Sequence, residues 1–261
     1  MRFEYTLEEN IFKIHLELKN QTYKHDGYTN FYITDPKQRH IHKALVGDRI
    51  IHHAVFRILN PVFEKTFIYS SYSCRKNKGT HRGVNRFQKI ARKISGNSHK
   101  NCFVLKCDIK KFFQSVDHNI LLEIIRKKLN DSKTLALIKG IVQSFNTGIP
   151  IGNLTSQLFA NVYLNELDQY IKHKLKIPFY IRYTDDFVII HNNINKLELW
   201  LKEIQWFISS NLKLQLHPNK IIFRKYHQGI DFLGYKQFPH HRVLRTKTKK
   251  RITKRIGEGV S

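Results

Sequence analysis

Between residues 38 and 59 the apolar positions Ile41, Leu45, Ile51, Val55, Ile58 and Leu59 recur at helical spacing, which predicts one helix ended by Pro61. SCRKNKGTHRG (73–83) has turn chemistry and reads as a basic loop. A helix through Val84, Phe87, Ile90, Ala91 and Ile94 follows it. NCFVLKCDI (101–109) reads as a strand. A helix over 117–129 comes next, with Asp117 as N-cap and Ile120, Leu121, Ile124, Ile125 and Leu129 on one face. GIPIGN (148–153) is a Gly/Pro turn, and residues 153–175 form one long helix with Leu154, Leu158, Val162, Leu167, Ile171 and Leu175 inward. FYIRY and DFVII are β-rich runs around Thr184-Asp185, the signature of a hairpin. An amphipathic helix spans 195–210, and KLQLH, KIIFRK and IDFLGY are short strands. The order β-α-α-ββ-α-β between residues 102 and 224 predicts an α+β domain, a sheet with helices on one face.

Charge changes the picture. The 261 residues carry 46 Lys+Arg against 20 Asp+Glu, a formal charge of +26. With 41% hydrophobic residues, 18 Phe and 12 Tyr, the chain is too apolar for a disordered basic tail. The excess is segmental: no acid occurs from Lys65 to Cys107 or from Phe232 to Gly257. Two basic arms flank an acid-containing middle, an arrangement suited to a polyanion. No apolar run is long enough to span a bilayer, and the N-terminus lacks a signal-peptide pattern. Cys74, Cys102 and Cys107 form no CxxC, so a reducing compartment, the cytoplasm, is expected, with Cys102 and Cys107 as core residues. His40, His42, His52 and His53 lack a zinc spacing and are read as surface or nucleic-acid-facing groups.

The acids of the middle carry the candidate chemistry. Asp108 ends a strand, and Asp185 and Asp186 lie at a hairpin tip. Pairing of strand and hairpin would bring three carboxylates to one sheet edge, a costly crowding unless cations neutralise it. Hard oxygen ligands on a turn suit Mg²⁺, and two such ions make a clamp for in-line phosphoryl transfer.

These residues resemble a known family. YTDD (183–186) matches the Tyr-x-Asp-Asp box of reverse transcriptases, and LKCDIKKFF (105–113) and GIPIGNLTSQLFANVYLNELD (148–168) resemble their first two palm motifs. LHPNK (216–220) and DFLGY (231–235) resemble the next two, and SYSCRKNKGTHRG (71–83) resembles the fingers motif. The resemblance covers about residues 40 to 250 in the family's order and is nearest the bacterial branch of diversity-generating retroelements. It implies a right-hand polymerase. Residues 1–104 would be an N-terminal segment and fingers, 105–235 a palm, and 236–261 a basic tail that begins a short or missing thumb.

By the same resemblance Asp108, Asp185 and Asp186 hold two Mg²⁺ ions, with Mn²⁺ as a substitute. Lys220 protonates leaving pyrophosphate, Arg75 and Lys78 neutralise the triphosphate, and Phe113 is a steric gate against ribose. Gly152 and Gln157 support the nucleotide, and Phe232, Leu233, Gly234 and Tyr235 form the primer grip. The expected partners are template RNA, an RNA/cDNA hybrid, dNTPs and a small basic accessory protein forming a ring, without a membrane. Ile151 replaces the family's frequent Gln, which implies error-prone copying, because an apolar contact polices pairing poorly. A group II intron-like or phage-defence reverse transcriptase is the alternative enzyme. A palm-fold RNA-binding scaffold is the alternative of another class, and the intact Asp108, Asp185 and Asp186 count against it.

Overall fold

The computed structural model describes residues 2–35 and 37–258. The chain opens with helices α1 (Arg2–Tyr5) and α2 (Leu7–Lys19) and a hairpin of β1 (Tyr28–Ile33) and β2 (Arg39–Ala44). Strand β2 takes residues that periodicity assigned to a helix. Its partner is the neighbouring stretch, Tyr28 opposite Ala44 through Ile33 opposite Arg39, and cross-strand pairing outweighs the helical spacing of Ile41 and Leu45. Helix α3 (Val46–Glu64) therefore starts late, and it also passes through Pro61. Burial of Leu59 and Phe63 on either side outweighs the one lost helical bond. Ile58, expected inside, is 57% exposed, because the buried stripe runs through Ile51, Val55 and Leu59.

Helix α4 (Thr80–Ile94) buries Val84, Phe87, Ile90 and Ala91 as its spacing predicts. Then come β3 (Phe103–Asp108), the single turn α5 (Phe112–Ser115) and α6 (His118–Arg126). Asp117 caps α6 by accepting the N–H groups of Asn119 and Ile120. Helix α7 (Ser132–Gln143), capped by Asp131, is an element the sequence reading passed over. Helix α8 (Leu154–Gln169) loosens into a π turn over Tyr170–Lys174. The hairpin β4 (Tyr180–Tyr183) and β5 (Asp186–His191) leads to α9 (Ile194–Leu212) and β6 (Ile222–Lys225). KLQLH contributes only a bridge, Leu216 to Ile109. IDFLGY splits into a second hairpin, β7 (Ile230–Phe232) and β8 (Tyr235–Gln237), because Leu233 and Gly234 turn at φ 49° and 85°. The basic tail holds β9 (Arg242–Leu244) and α10 (Thr246–Glu258), and residues 259–261 lie outside the described residues.

The chain forms two compact units, each built from two stretches: residues up to 67 with 111–165, and residues 68–110 with those from 166 onward. Compactness thus groups residues differently from a division in chain order at 104 and 235. The first unit holds the β1–β2 hairpin and helices α1, α2, α3, α5, α6 and α7 with most of α8. The second holds an antiparallel sheet of order β4-β5-β3-β6 and a smaller sheet of order β7-β8-β9. Helix α4 packs on β4 and β5, and α9 packs on β5 and β3. Tyr72, Phe87, Val104, Ile181, Val188, Ile190 and Phe232 form one apolar cluster there.

Candidate active site

Strand β3 pairs antiparallel with β5 so that Asp108, its last residue, stands directly opposite Asp186, the first residue of β5. Directly opposed residues carry their Cβ atoms about 5 Å apart. Thr184 and Asp185 form the two-residue turn between β4 and β5, with Thr184 at φ 53°. That turn is held from three sides. Ile109 donates its N–H to the Asp185 carbonyl at 3.1 Å. Thr184 Oγ1 donates to Ser73 Oγ at 2.6 Å, and Arg182 Nη1 donates to the Thr184 carbonyl at 3.1 Å. Arg182 is itself fully buried and forks onto Asp168 of α8, Nη2 to Oδ2 at 2.6 Å and Nε to Oδ1 at 2.8 Å. Tyr180 donates to the same Asp168 oxygen at 2.8 Å.

Two lysines neutralise the opposed carboxylates. Lys220 Nζ lies 2.7 Å from Asp108 Oδ1, and Lys106 Nζ lies 3.1 Å from Asp186 Oδ2 while also donating to the Asp231 carbonyl at 3.0 Å. Burial pushes Asp186 up to about 6; Lys106 opposes that rise, and the nearby Asp108 and Asp185 add to it. Asp186 Oδ1 is buried with no hydrogen-bond partner. An orphaned hard oxygen beside a second carboxylate fits the donor chemistry of Mg²⁺. Among the described residues no three His, Cys, Asp or Glu side chains stand close enough to hold a metal as they are. The lysine ammonium groups occupy the carboxylates instead. Lys106 was missed in the sequence; its signal was its place two residues before Asp108, on the same face of one strand.

Arg75 turns its guanidinium onto the carbonyls of Ile68 and Ser71, at 2.7 and 2.9 Å. Lys78 donates to the Tyr69 carbonyl at 2.8 Å and sits 3.6 Å over the Tyr69 ring. Both cations brace their own loop. Phe112 and Phe113 separate: Phe112 is buried against Tyr163, whereas Phe113 is half-buried. The Phe113 carbonyl accepts the Ile149 N–H at 2.7 Å, tying α5 to the GIPIGN turn. Ile151 is half-buried, and its carbonyl accepts the His42 N–H at 2.8 Å. Gly152, at φ 125°, lets Ile41 approach where a Cβ would stand 2.8 Å from its Cγ2. Gln157 is exposed one turn into α8. These four belong to the first unit and the three aspartates to the second.

Phe232 is a core residue at 0% exposure, so its ring reaches no ligand, and the tip of the expected primer grip is Leu233–Gly234 with half-buried Tyr235. His52, read as a surface group, is buried. Cys102 and Cys107 are buried as expected, and burial pushes the Cys102 thiol up to about 12.

An antiparallel sheet with one carboxylate on an inner strand, opposed by a second on a two-residue hairpin, defines the palm of a nucleic-acid polymerase. The reverse transcriptase (RNA-dependent DNA polymerase) family profile matches residues 33–237, and the chain belongs to that family. It is 24% identical over 244 residues to Protein YkfC of Escherichia coli, covering 77% of this chain and 62% of that protein. It is 26% identical to the group II intron-encoded protein LtrA of Lactococcus lactis, covering 95% of this chain and 52% of that protein. The retron Ec73 reverse transcriptase of Escherichia coli is 28% identical over 178 residues, covering 60% of this chain and 54% of that protein. The chain thus spans about half to three-fifths of the length of these relatives. Among solved structures, apo telomerase from Candida tropicalis superposes with a TM-score of 0.63 at 11% identity, over 86% of this chain and 49% of that one, a likeness of fold. Among the described residues no helix is long and apolar enough to cross a membrane.

Proposed function

We propose that the chain is an RNA-directed DNA polymerase that copies an RNA template into cDNA. The observation that carries this is the register of Asp108 against Asp186 beside a braced Thr184–Asp185 turn. Asp108 and Asp186, with Asp185, would hold Mg²⁺, which when bound activates the primer 3′-hydroxyl and offsets charge on the leaving pyrophosphate. Lys220 and Lys106, now on those carboxylates, would have to release them for an ion to be held there. Lys220, 40% exposed, is then free to meet the pyrophosphate. Arg75 and Lys78 take the triphosphate, Phe113 screens the sugar, and Ile151, Gly152 and Gln157 support the base pair. Leu233, Gly234 and Tyr235 guide the primer, Phe232 supporting them from the core. Residues 1–104, 105–235 and 236–261 act as fingers, palm and tail.

Primer extension on an RNA template with Mg²⁺ and dNTPs tests this reading. Wild type should extend the primer, and an Asp185→Ala/Asp186→Ala variant should not. Template RNA, the RNA/cDNA hybrid and dNTPs are the partners proposed, in the cytoplasm, with a basic accessory ring as a further one. Affinity for the hybrid should fall steeply with salt, because Lys and Arg contacts release counterions.

The finer reading is error-prone copying in a diversity-generating retroelement. It rests on Ile151, and errors opposite template adenine in sequenced cDNA would support it. The group II intron-like reading has its own observation, 26% identity to an intron-encoded protein across 95% of this chain.

A further inference from the structure

In the first unit, side chains from three separate stretches form one buried polar chain. Tyr23 donates its hydroxyl to Asp48 Oδ1 at 2.6 Å. His25 presents Nδ1 to Asp48 Oδ2 at 3.7 Å, near enough for attraction and too far for a hydrogen bond. His25 Nε2 meets His52 Nε2 at 3.1 Å, and His52 Nδ1 meets Thr155 Oγ1 at 2.6 Å. Asp48, His52 and Thr155 are each 1% exposed. Thr155 is the second residue of α8, just after Gly152 and Asn153 and two before Gln157. Asn153 pins the same turn independently, accepting the Ala44 N–H at 3.0 Å and donating to the His42 carbonyl at 2.8 Å.

The charge of Asp48 sets the direction of the chain. Two imidazole Nε2 atoms 3.1 Å apart share one proton. A carboxylate facing His25 Nδ1 draws the His25 proton to that nitrogen, which leaves His25 Nε2 an acceptor. His52 therefore carries its proton on Nε2, and its Nδ1 accepts the Thr155 hydroxyl proton. Burial lowers His25 and takes His52 down to about 4, so both rings stay neutral near pH 7. Burying this many polar groups, His25 Nδ1 among them without a hydrogen-bond partner, costs more than an apolar core, and what the network supplies is a single geometry. That geometry is local to a cavity of about 360 Å³, walled by His52 together with Lys43, Arg49, Gly152 and Gln157.

We propose that His52 is a positioning residue for nucleotide binding: through Thr155 it holds the first turn of α8, and with it Gly152 and Gln157, in the binding arrangement. The proposal rests on the reading of Gly152 and Gln157 as nucleotide support. It is tested by single-nucleotide incorporation on an RNA template with a DNA primer and Mg²⁺, resolving KM for dNTP from kcat. Thr155→Val should raise KM about five- to tenfold with kcat within about twofold, the pattern of lost binding with intact chemistry. Thr155→Ser, which keeps the hydroxyl, should restore KM to within about twofold of wild type. Asp48→Asn, at the far end of the chain, should raise KM alike. The Asp48→Asn/Thr155→Val double variant should be no worse than the weaker-binding single one, because the two act through one chain. An unchanged KM with kcat falling in step with the folded fraction would overturn the proposal, as would additive effects in the double variant. A wild type that makes no product would overturn the polymerase reading and this proposal with it. An active wild type with an unchanged KM in Thr155→Val would overturn this proposal alone.

Discussion

Arg182 and Asp168 form a bidentate ion pair at 2.6 and 2.8 Å, both side chains fully buried, and the same guanidinium holds the carbonyl of Thr184 at the hairpin tip. The pair links the end of α8 to the turn that presents Asp185. It fixes the turn rather than adding net stability, since a buried pair gains little over apolar packing.

Breaking that pair from one side leaves an uncompensated buried charge. Asp168→Asn should therefore cost about 3–5 kcal/mol. Urea unfolding reads this as a lower midpoint at unchanged slope. A loss below about 1 kcal/mol would mean that water or another group takes over the Arg182 charge.

Asp186 carries the opposite lesson. Its folded pKa, about 6, stands above the unfolded value of 3.8, because burial disfavours the ionised form. Its contribution to stability is complete below pH 3.8 and is lost as pH rises through about 6. Asp186→Asn should thus stabilise the fold by about 1–3 kcal/mol at pH 8 and by close to nothing at pH 3.5. Lys106 keeps its bond to the Asp231 carbonyl in the variant. Chemical denaturation at the two pH values checks the sign, and primer extension at pH 8 should be abolished.

Phe112 and Phe113 should separate as core and gate. Phe113→Val should raise the use of ribonucleotides relative to deoxynucleotides by about tenfold or more in kcat/KM, with little change in stability. Phe112→Ala should leave that ratio unchanged and cost about 3–5 kcal/mol, because its ring is 2% exposed. A ratio that fails to move in Phe113→Val would remove the gate.

Gly148 stands at φ 69°, where a Cβ would strike the Phe113 carbonyl oxygen and the backbone of Gln114. Backbone cannot swing aside as a side chain can. Gly148→Ala should lower stability by about 2 kcal/mol or more and loosen the sugar discrimination assigned to Phe113. Thermal unfolding and the same nucleotide competition measure the two effects together.

The sequence alone determined the parts whose signals are local. The β3 strand, the caps at Asp117, the Thr184–Asp185 hairpin and the buried stripe of α4 follow from alternation, capping chemistry and helical spacing. Asp108, Asp185 and Asp186 stand out because each lies at the end of such an element. Tertiary structure decided what depends on partners outside each element. Strand β2 exists because Tyr28–Ile33 pairs with it, and α3 continues past Pro61 because Phe63 is buried. Leu233 and Gly234 made two strands of one apparent run. Only folding brought Asp168 to Arg182, Lys106 to Asp186 and His52 to Thr155, pairs whose energy comes from exclusion of water across the chain and leaves no periodic trace in it.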